Sequence, residues 1–449
     1  MPDVRAPRGL IIAAPASGSG KTTVTLGLLR ALTRQGRAVV GAKAGPDYID
    51  PAFHAAATGR SCVNLDTWAM PGPVVHALAA HAGRESGLVI AEGVMGLFDG
   101  ALGTSDPGAD GSAAALAAGT GWPVVLVVPV KGMAASVAPL VAGFARHRPE
   151  VPVAGVILNR VGSTRHLEAL RAALAASVPE VAVLGGLPAQ AALSVPERHL
   201  GLVQAGEHPA LAAFLDAAAD AVATHVDLDA VAALARPLAP PGPGGEAPVP
   251  VPPPGRHVAV ARDIAFAFCY PATLDGWRAA GSRVSFFSPL ADEAPAPDAD
   301  AVYLPGGYPE LHAARLAASR VFLPALRAAA ARGVAVFGEC GGYMVLGRSL
   351  TDAEGVVHPM ADLLPVGTSF QHRARALGYR AVTFLEPGPG VAAGTHARGH
   401  EFHYATITAE SPEGRLYRVR DAAGQDRGLA GHRRGPVAGG FVHLVAMAP

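Results

Sequence analysis

Between Pro237 and Pro254 the chain reads PLAPPGPGGEAPVPVPPP, nine prolines in eighteen residues. Proline carries no backbone N–H and clashes with the preceding turn, so neither a helix nor a sheet interior can run through this stretch. It reads as an extended, semi-rigid linker over residues 237–255. A chain of 449 residues also exceeds what one ordinary core organises. Two domains are therefore expected, residues 1–236 and residues 256–449.

Both halves alternate short apolar runs with alanine-rich helical segments. The runs of the first half are GLIIAAP (9–15), AVVGAK (38–43), GLVIAEG (87–93), PVVLVVP (123–129) and VAGVILN (153–159). Those of the second are HVAVAR (257–262), SRVSFFS (282–288), AVYLPG (301–306), GVAVFG (333–338) and GGFVHLV (439–445). Runs without polar alternation predict strands covered on both faces, hence mostly parallel sheets in α/β domains. In such sheets ligands meet the carboxyl ends of strands. Residues just beyond each run are thus the first candidates for chemistry.

Composition excludes several functions. The 36 basic and 36 acidic residues cancel, and no basic stripe points to nucleic acid. Three cysteines make no disulfide framework and point to a reducing cytoplasm. GLIIAAP is too short for a secretory core, and no apolar run reaches the ~20 residues of a membrane span.

The first run leads into APASGSGKTT (14–23) and then an apolar-periodic helix. A phosphate loop reads GxxxxGK[ST]. Gly20, Lys21 and Thr22 fit it, while Pro15 stands at the first glycine position. The small residues Gly18, Ser19 and Gly20, with Thr22 and Thr23 opening the helix, can wrap backbone N–H groups around the phosphates of ATP. Lys21 reaches the terminal phosphates, and the Thr22 hydroxyl holds Mg²⁺. Carboxylates follow two other runs, Glu92 after GLVIA and Asp47 in KAGPDYIDP. Mg²⁺ takes one or two carboxylates with phosphate oxygens and water, so Thr22, Asp47 and Glu92 form the expected ligand set. Asp50 before Pro51 reads as a turn residue, and Asp99 before Gly100 as a turn residue or a second acid of the site. Asn159 ends its run and reads as a contact to the base, with capping of the next helix as the alternative.

In the second half, GECGGYM (338–344) places Cys340 between the run GVAVF and a short helical segment. A strand, a sharp glycine-rich turn and a helix make a nucleophile elbow. The helix dipole is expected to lower the pKa of a thiol placed there. Such a thiol needs a base and an oxyanion hole. His443 in the last run supplies the base, and backbone N–H groups at Gly306 and Gly307 supply the hole. His400 and His403 in GHEFHY are rival histidines, and their H-E-x-H spacing matches no standard zinc site. Cys62 and Cys269 lack the elbow setting.

Together these segments resemble the glutamine-dependent cobyrinic or hydrogenobyrinic acid a,c-diamide synthases of cobalamin biosynthesis. In the first half the resemblance rests on IIAAPASGSGKTT, KAGPDYIDPAFH and AEGVMGLFDG. In the second it rests on VARDIAFAF, FFSPLADE, YLPGGYPEL, GECGGYMVLG, RGHEFHY and GGFVHL. It implies an N-terminal P-loop domain similar to dethiobiotin synthetase and a C-terminal domain similar to class I glutamine amidotransferases. It also implies that ATP, L-glutamine and a corrin polycarboxylate are the small-molecule partners. The family activates the c and then the a acetate as an acyl phosphate, which ammonia displaces. The carried-over roles put Asp47, Tyr48 and Ile49 near the corrin, and Glu92 and Asp99 near the reacting phosphate and carboxylate. A homodimer is compatible with this picture. Class I glutaminases carry H-x-E at the final strand, whereas here the third position is Val445. That leaves a Cys340–His443 dyad and makes Glu401 one candidate to orient the ring. The alternatives are a cobyric acid synthase-like amidase of other corrin side chains, or a P-loop ATPase switch with a degenerate glutaminase-like domain.

Overall fold

The computed structural model describes residues 7–84, 86–189, 204–207, 210–240, 249–372, 374–388 and 390–448. Two compact units emerge: Met1–Gly100 with Thr104–Ala247, and Pro248–Pro449 with Ala101–Gly103. Residues 241–248 of the proline-rich segment lie outside the described residues. No helix among the described residues is long and apolar enough to cross a membrane.

The first unit contains β1 Arg8–Ala13, α1 Lys21–Arg34, β2 Val39–Ala44, α2 Ile49–Thr58, β3 Val63–Leu65 and β4 Leu88–Glu92. It continues with β5 Val124–Pro129, β6 Val153–Val161, β7 Ala182–Pro188 and β8 Arg236–Pro237. The sheet runs β3-β2-β4-β1-β5-β6-β7. All these pairings are parallel, and β8 adds antiparallel to β1. Leu10, Ile11, Ile12 and the whole of Val124–Val128 are fully buried. Covering on both faces is why the sequence shows no alternation here. The register sets Glu92 beside both Ile12 of β1 and Lys43 of β2, so three carboxyl ends meet at one place.

The second unit begins with β9 His257–Ala261, β10 Arg283–Phe287, β11 Ala301–Leu304 and β12 Ala335–Glu339. Next come β13 Ser349–Thr351, β14 Val357–Pro359, β15 Val366–Ser369, β16 Ala376–Phe384, β17 His396–His403 and β18 Thr406–Glu410. The last strands are β19 Arg415–Asp421, β20 Asp426–Arg434, β21 Val437–Gly440 and β22 His443–Met447. The large sheet runs β10-β9-β11-β12-β21-β20-β19-β16-β17-β22, and β14-β13-β15-β18 form a smaller one. The large sheet is parallel from β10 to β21 and antiparallel beyond.

Two expectations are corrected here. The run GGFVHLV is not one strand: the chain breaks at Phe441 and Val442 between β21 and β22. β21 pairs with β12 in mid-sheet, whereas β22 joins β17 at the far end. The large sheet of the second unit is therefore mixed rather than mostly parallel, because β16, β17, β19, β20 and β22 pair antiparallel. In β19 the burial alternates with exposure, which is the mark of a sheet with one wet face.

The ends of the proline-rich segment are bound. Leu238 N–H donates to Pro7 O at 2.8 Å in the first unit. In the second, Met447 N–H donates to Pro250 O at 2.7 Å and the Trp277 indole to Val251 O at 3.0 Å.

Candidate active site

In the first unit the turn after β1 delivers Gly20, in the left-handed region at φ 88°, as the residue that caps α1. Only glycine fits: a Cβ on Gly20 would stand 2.2 Å from Asn159 Nδ2. Asn159 donates that amide to Ser19 O at 2.9 Å, so it braces the loop from β6. Capping of the next helix falls instead to Ser163, whose side chain accepts from His166 N–H. Gly18 and Ser19 complete the turn, and Lys21, Thr22 and Thr23 form the first turn of α1.

Glu92, fully buried, gathers the charges. Its Oε1 accepts from Lys21 Nζ at 3.1 Å, Thr22 Oγ1 at 2.6 Å and Lys43 Nζ at 3.2 Å. Its Oε2 bonds His54 Nε2 at 2.8 Å. Burial alone would push this carboxyl up, but Lys43, Lys21 and the His54 bond together hold it well below the usual range. Burial likewise opposes the Lys43 ammonium, and Asp50, Glu92 and Asp47 overcome it and hold the group charged. Asp50 is not only a turn former, as its place before Pro51 implied: it pairs directly with Lys43. Asp47 lies 3.9 Å from Lys43, accepts from Ile49 N–H at 2.7 Å, and is pushed upward by burial and by Asp50. Tyr48 caps α2, and Ile49 is its first residue. Asp99 is exposed and accepts from Gly96 N–H at 2.8 Å, closing a turn.

Lys43 and His54 are absent from the sequence reading. A lysine ending an apolar run was visible in AVVGAK, under the same rule that picked out Glu92. His54 gave no such signal, since it sits in mid-helix and reaches Glu92 only through the packing of α2. His54 Nδ1 also lies 3.5 Å from the buried Cys62 Sγ.

In the second unit Cys340 follows β12 with φ 46° and ψ −105°, then the helix Gly341–Leu346 begins. Cys340 N–H donates to Gly440 O at 2.8 Å, tying the elbow to the end of β21. Three residues beyond Gly440, after the chain break, His443 is the first residue of β22. Gly306, just after β11, touches both side chains. A Cβ there would lie 2.2 Å from His443 Cε1, 3.1 Å from its Nε2 and 3.2 Å from Cys340 Cβ. Phe268 N–H donates to Gly306 O at 2.9 Å. In a trans peptide this turns the Gly307 N–H to the opposite side. That N atom lies 3.0 Å from where a Gly341 Cβ would be, next to the cysteine.

The thiol departs from expectation. Burial, reinforced by Glu310, pushes Cys340 upward, and the backbone N–H of Gly341 offsets only part of this. The six-residue helix does not outweigh removal from water. Burial, then His400 and His403, hold His443 down to about 3. The pair therefore rests as a thiol beside a neutral imidazole. Glu401 is committed elsewhere: it accepts from Arg380 Nε at 2.5 Å and bonds His403 Nε2 at 3.0 Å. The carboxylate at 4.0 Å from His443 Nδ1 is Glu339, which the sequence reading did not single out. Its place immediately before the nucleophile was the available clue.

Comparison with known proteins assigns a family to each half of the chain. The CobQ/CobB/MinD/ParA nucleotide binding domain model matches residues 10–203, and the CobB/CobQ-like glutamine amidotransferase domain model matches residues 257–449. A hydrogenobyrinate a,c-diamide synthase of Brucella anthropi is 56% identical, over 98% of this chain and 98% of that protein. One of Rhizobium meliloti is 56% identical over 97% and 99%. One of Rhodobacter capsulatus is 56% identical over 98% and 99%.

Proposed function

The chain belongs to the hydrogenobyrinate a,c-diamide synthase family, and from that premise we propose that it amidates the c and a acetate carboxylates of hydrogenobyrinic acid, using ATP and glutamine. One observation carries this reading: a single chain holds a phosphate loop closed on a buried acid and a cysteine elbow facing a histidine. The ATPase-switch alternative has no use for the cysteine elbow, and the names of the relatives favour an a,c-diamide synthase over the cobyric acid synthase-like amidase, which would need both sites. The names of the relatives favour the cobalt-free corrin, and a biosynthetic enzyme of this kind is placed in the cytoplasm.

In the glutaminase half, Cys340 Sγ attacks the side-chain amide carbon of glutamine and its proton passes to His443 Nε2. The oxyanion is received by the Gly307 N–H, as expected from the sequence, and by the Gly341 N–H, which meets the thiol and takes the place expected of Gly306. His443 returns the proton to the departing ammonia, and water releases glutamate from the thioester.

In the ATP half, the loop N–H groups and Lys21 hold the phosphates. The Thr22 hydroxyl and Glu92 carboxylate, 2.6 Å apart, are hard oxygen donors that fit Mg²⁺. Asp47, through its second carboxylate oxygen, is the further candidate ligand. The ion, when bound, neutralises charge on the terminal phosphate as a second anion approaches. Lys43 stands between Glu92 on one side and Asp47 and Asp50 on the other, where a corrin carboxylate approaching Asp47, Tyr48 and Ile49 would meet it. That carboxylate displaces ADP to form an acyl phosphate, and ammonia displaces phosphate.

The test is mass spectrometry of products from cobalt-free and cobalt-containing corrins with ATP and glutamine. The expected product is the diamide of the cobalt-free corrin. ATP hydrolysis without any amide on either corrin would refute the proposal.

A further inference from the structure

The position two residues beyond His443 is Val445, buried and apolar, so the last strand itself carries no group to orient the ring. Another strand does. Glu339 ends β12, immediately before Cys340, and its side chain is 5% exposed. Its Oε1 accepts from Leu444 N–H at 3.0 Å, the residue next to the histidine. Its Oε2 accepts from the Tyr303 hydroxyl at 2.6 Å and lies 4.0 Å from His443 Nδ1. The opposite edge of the ring, Cε1 and Nε2, faces Gly306 and through it Cys340. Nδ1 thus faces the carboxylate, and the Cε1–Nε2 edge lies on the Gly306 side, the side of Cys340, whose Sγ donates to Phe402 O at 3.7 Å.

We propose that Glu339 is a positioning residue of the glutaminase site, fixed by Tyr303 and Leu444 so that His443 keeps its proton on Nδ1 and presents Nε2 to Cys340. This inference rests on reading Cys340 and His443 as a glutaminase pair. Ring-orienting carboxylates act by fixing the tautomer and stabilising the imidazolium that forms during attack. The 4.0 Å separation exceeds a hydrogen bond. Such catalytic contacts are often long without substrate and tighten when it binds.

The carboxylate is also tunable. A cavity of about 20 Å³ bounded by Trp277, Phe337 and Val251 lies against it. Burial pushes Glu339 up to about 7, with the Tyr303 and Leu444 bonds opposing. The other titratable groups facing it, Tyr303, Tyr417, Cys269 and Cys340, are pushed upward by burial. Facing His443 are His400, moved down to about 4, Glu401, held low, and His403 bonded to that Glu401. Glutamine hydrolysis then rises with pH as Glu339 ionises.

The experiment uses the full chain and follows glutamate release across the neutral range. Glu339→Gln should lower kcat/KM by about 10²-fold through kcat, with KM little changed, and should abolish the acidic limb. Glu339→Asp should restore part of both. Tyr303→Phe removes a bond that favours the ionised carboxylate and should move the limb to higher pH. This variant decides the matter if Glu339→Gln does not fold. The inference is overturned if folded Glu339→Gln follows the wild-type profile, or if Tyr303→Phe leaves the limb in place. Cys340→Ala separates the two levels: if it still hydrolyses glutamine, the glutaminase reading fails. If it is inert while Glu339→Gln matches wild type, only the role of Glu339 fails.

Discussion

Replacing Gly306 with alanine tests the cysteine–histidine geometry without touching either residue. The added methyl would fall 2.2 Å from His443 Cε1, so ordinary contact at 3.4 Å requires the ring or the loop to withdraw by about 1.2 Å. His443 is fully buried, and Gly306 O is held by Phe268 N–H. Neither partner moves without disturbing the site. Misplacing a reacting group by about 1 Å can cost ~10²-fold in rate. Overpacking of this kind costs about 1–3 kcal/mol, against a usual domain stability of ~5–15 kcal/mol, so the unit should remain folded. The expected result is glutamine hydrolysis reduced by about 10²-fold or more, with amidation driven by added ammonium nearly unchanged. Glutamate release and amide formation are measured side by side, with near-ultraviolet circular dichroism as the fold check. Wild-type glutamine hydrolysis in a folded Gly306→Ala protein would refute the contact between Gly306, Cys340 and His443.

Three further outcomes are expected. Cys340→Ala should lose glutamine-dependent amidation but keep ammonium-driven amidation, most of all at alkaline pH where NH₃ is abundant, and paired assays of the two nitrogen sources would show it. Glu92→Gln should lose both amidations while glutamate release at Cys340 persists, because Lys21, Thr22, Lys43 and His54 all lose one charged acceptor. Glu339 also imposes a pH dependence on stability. Its carboxyl is raised from 4.5 to about 7 in the folded state, so folding is favoured while the group is protonated. That contribution is complete below 4.5 and is lost as the pH rises through about 7. Thermal unfolding of the second unit should fall across this window in the wild type and flatten in Glu339→Gln.

The sequence made the parallel strands legible because burial on both faces leaves continuous apolar runs. It also made the candidates Lys21, Thr22, Glu92 and Cys340 legible, because each stands at the end of a run or beside a glycine turn, and His443 because the elbow calls for a base. The strands from β13 to β20 carry mixed polar and apolar residues with one face wet, so they leave no continuous apolar run to mark them. The partners of the candidates were hidden for a different reason. Lys43 meets Glu92 through the register of β2 on β4, and register is a property of pairing rather than of either strand. His54 depends on how α2 lies on the sheet. Glu339 depends on the break at Phe441 and Val442, which turns the last run into two strands and carries His443 back to the elbow.

The backbone at Cys340 has a thermodynamic corollary. A side chain held at φ 46° occupies a conformation that costs about 1–3 kcal/mol for any residue but glycine. Chemistry and folding therefore pull this position in opposite directions. Selection for stability alone would replace the whole side chain with a hydrogen atom. Cys340→Gly should melt at a higher temperature than the wild type and hydrolyse no glutamine. A lower melting temperature would mean that the packing of the sulfur outweighs the strain it sits on. On this account the second unit is least at ease at the residue by which it acts, and its reserve of stability must come from the sheet around it.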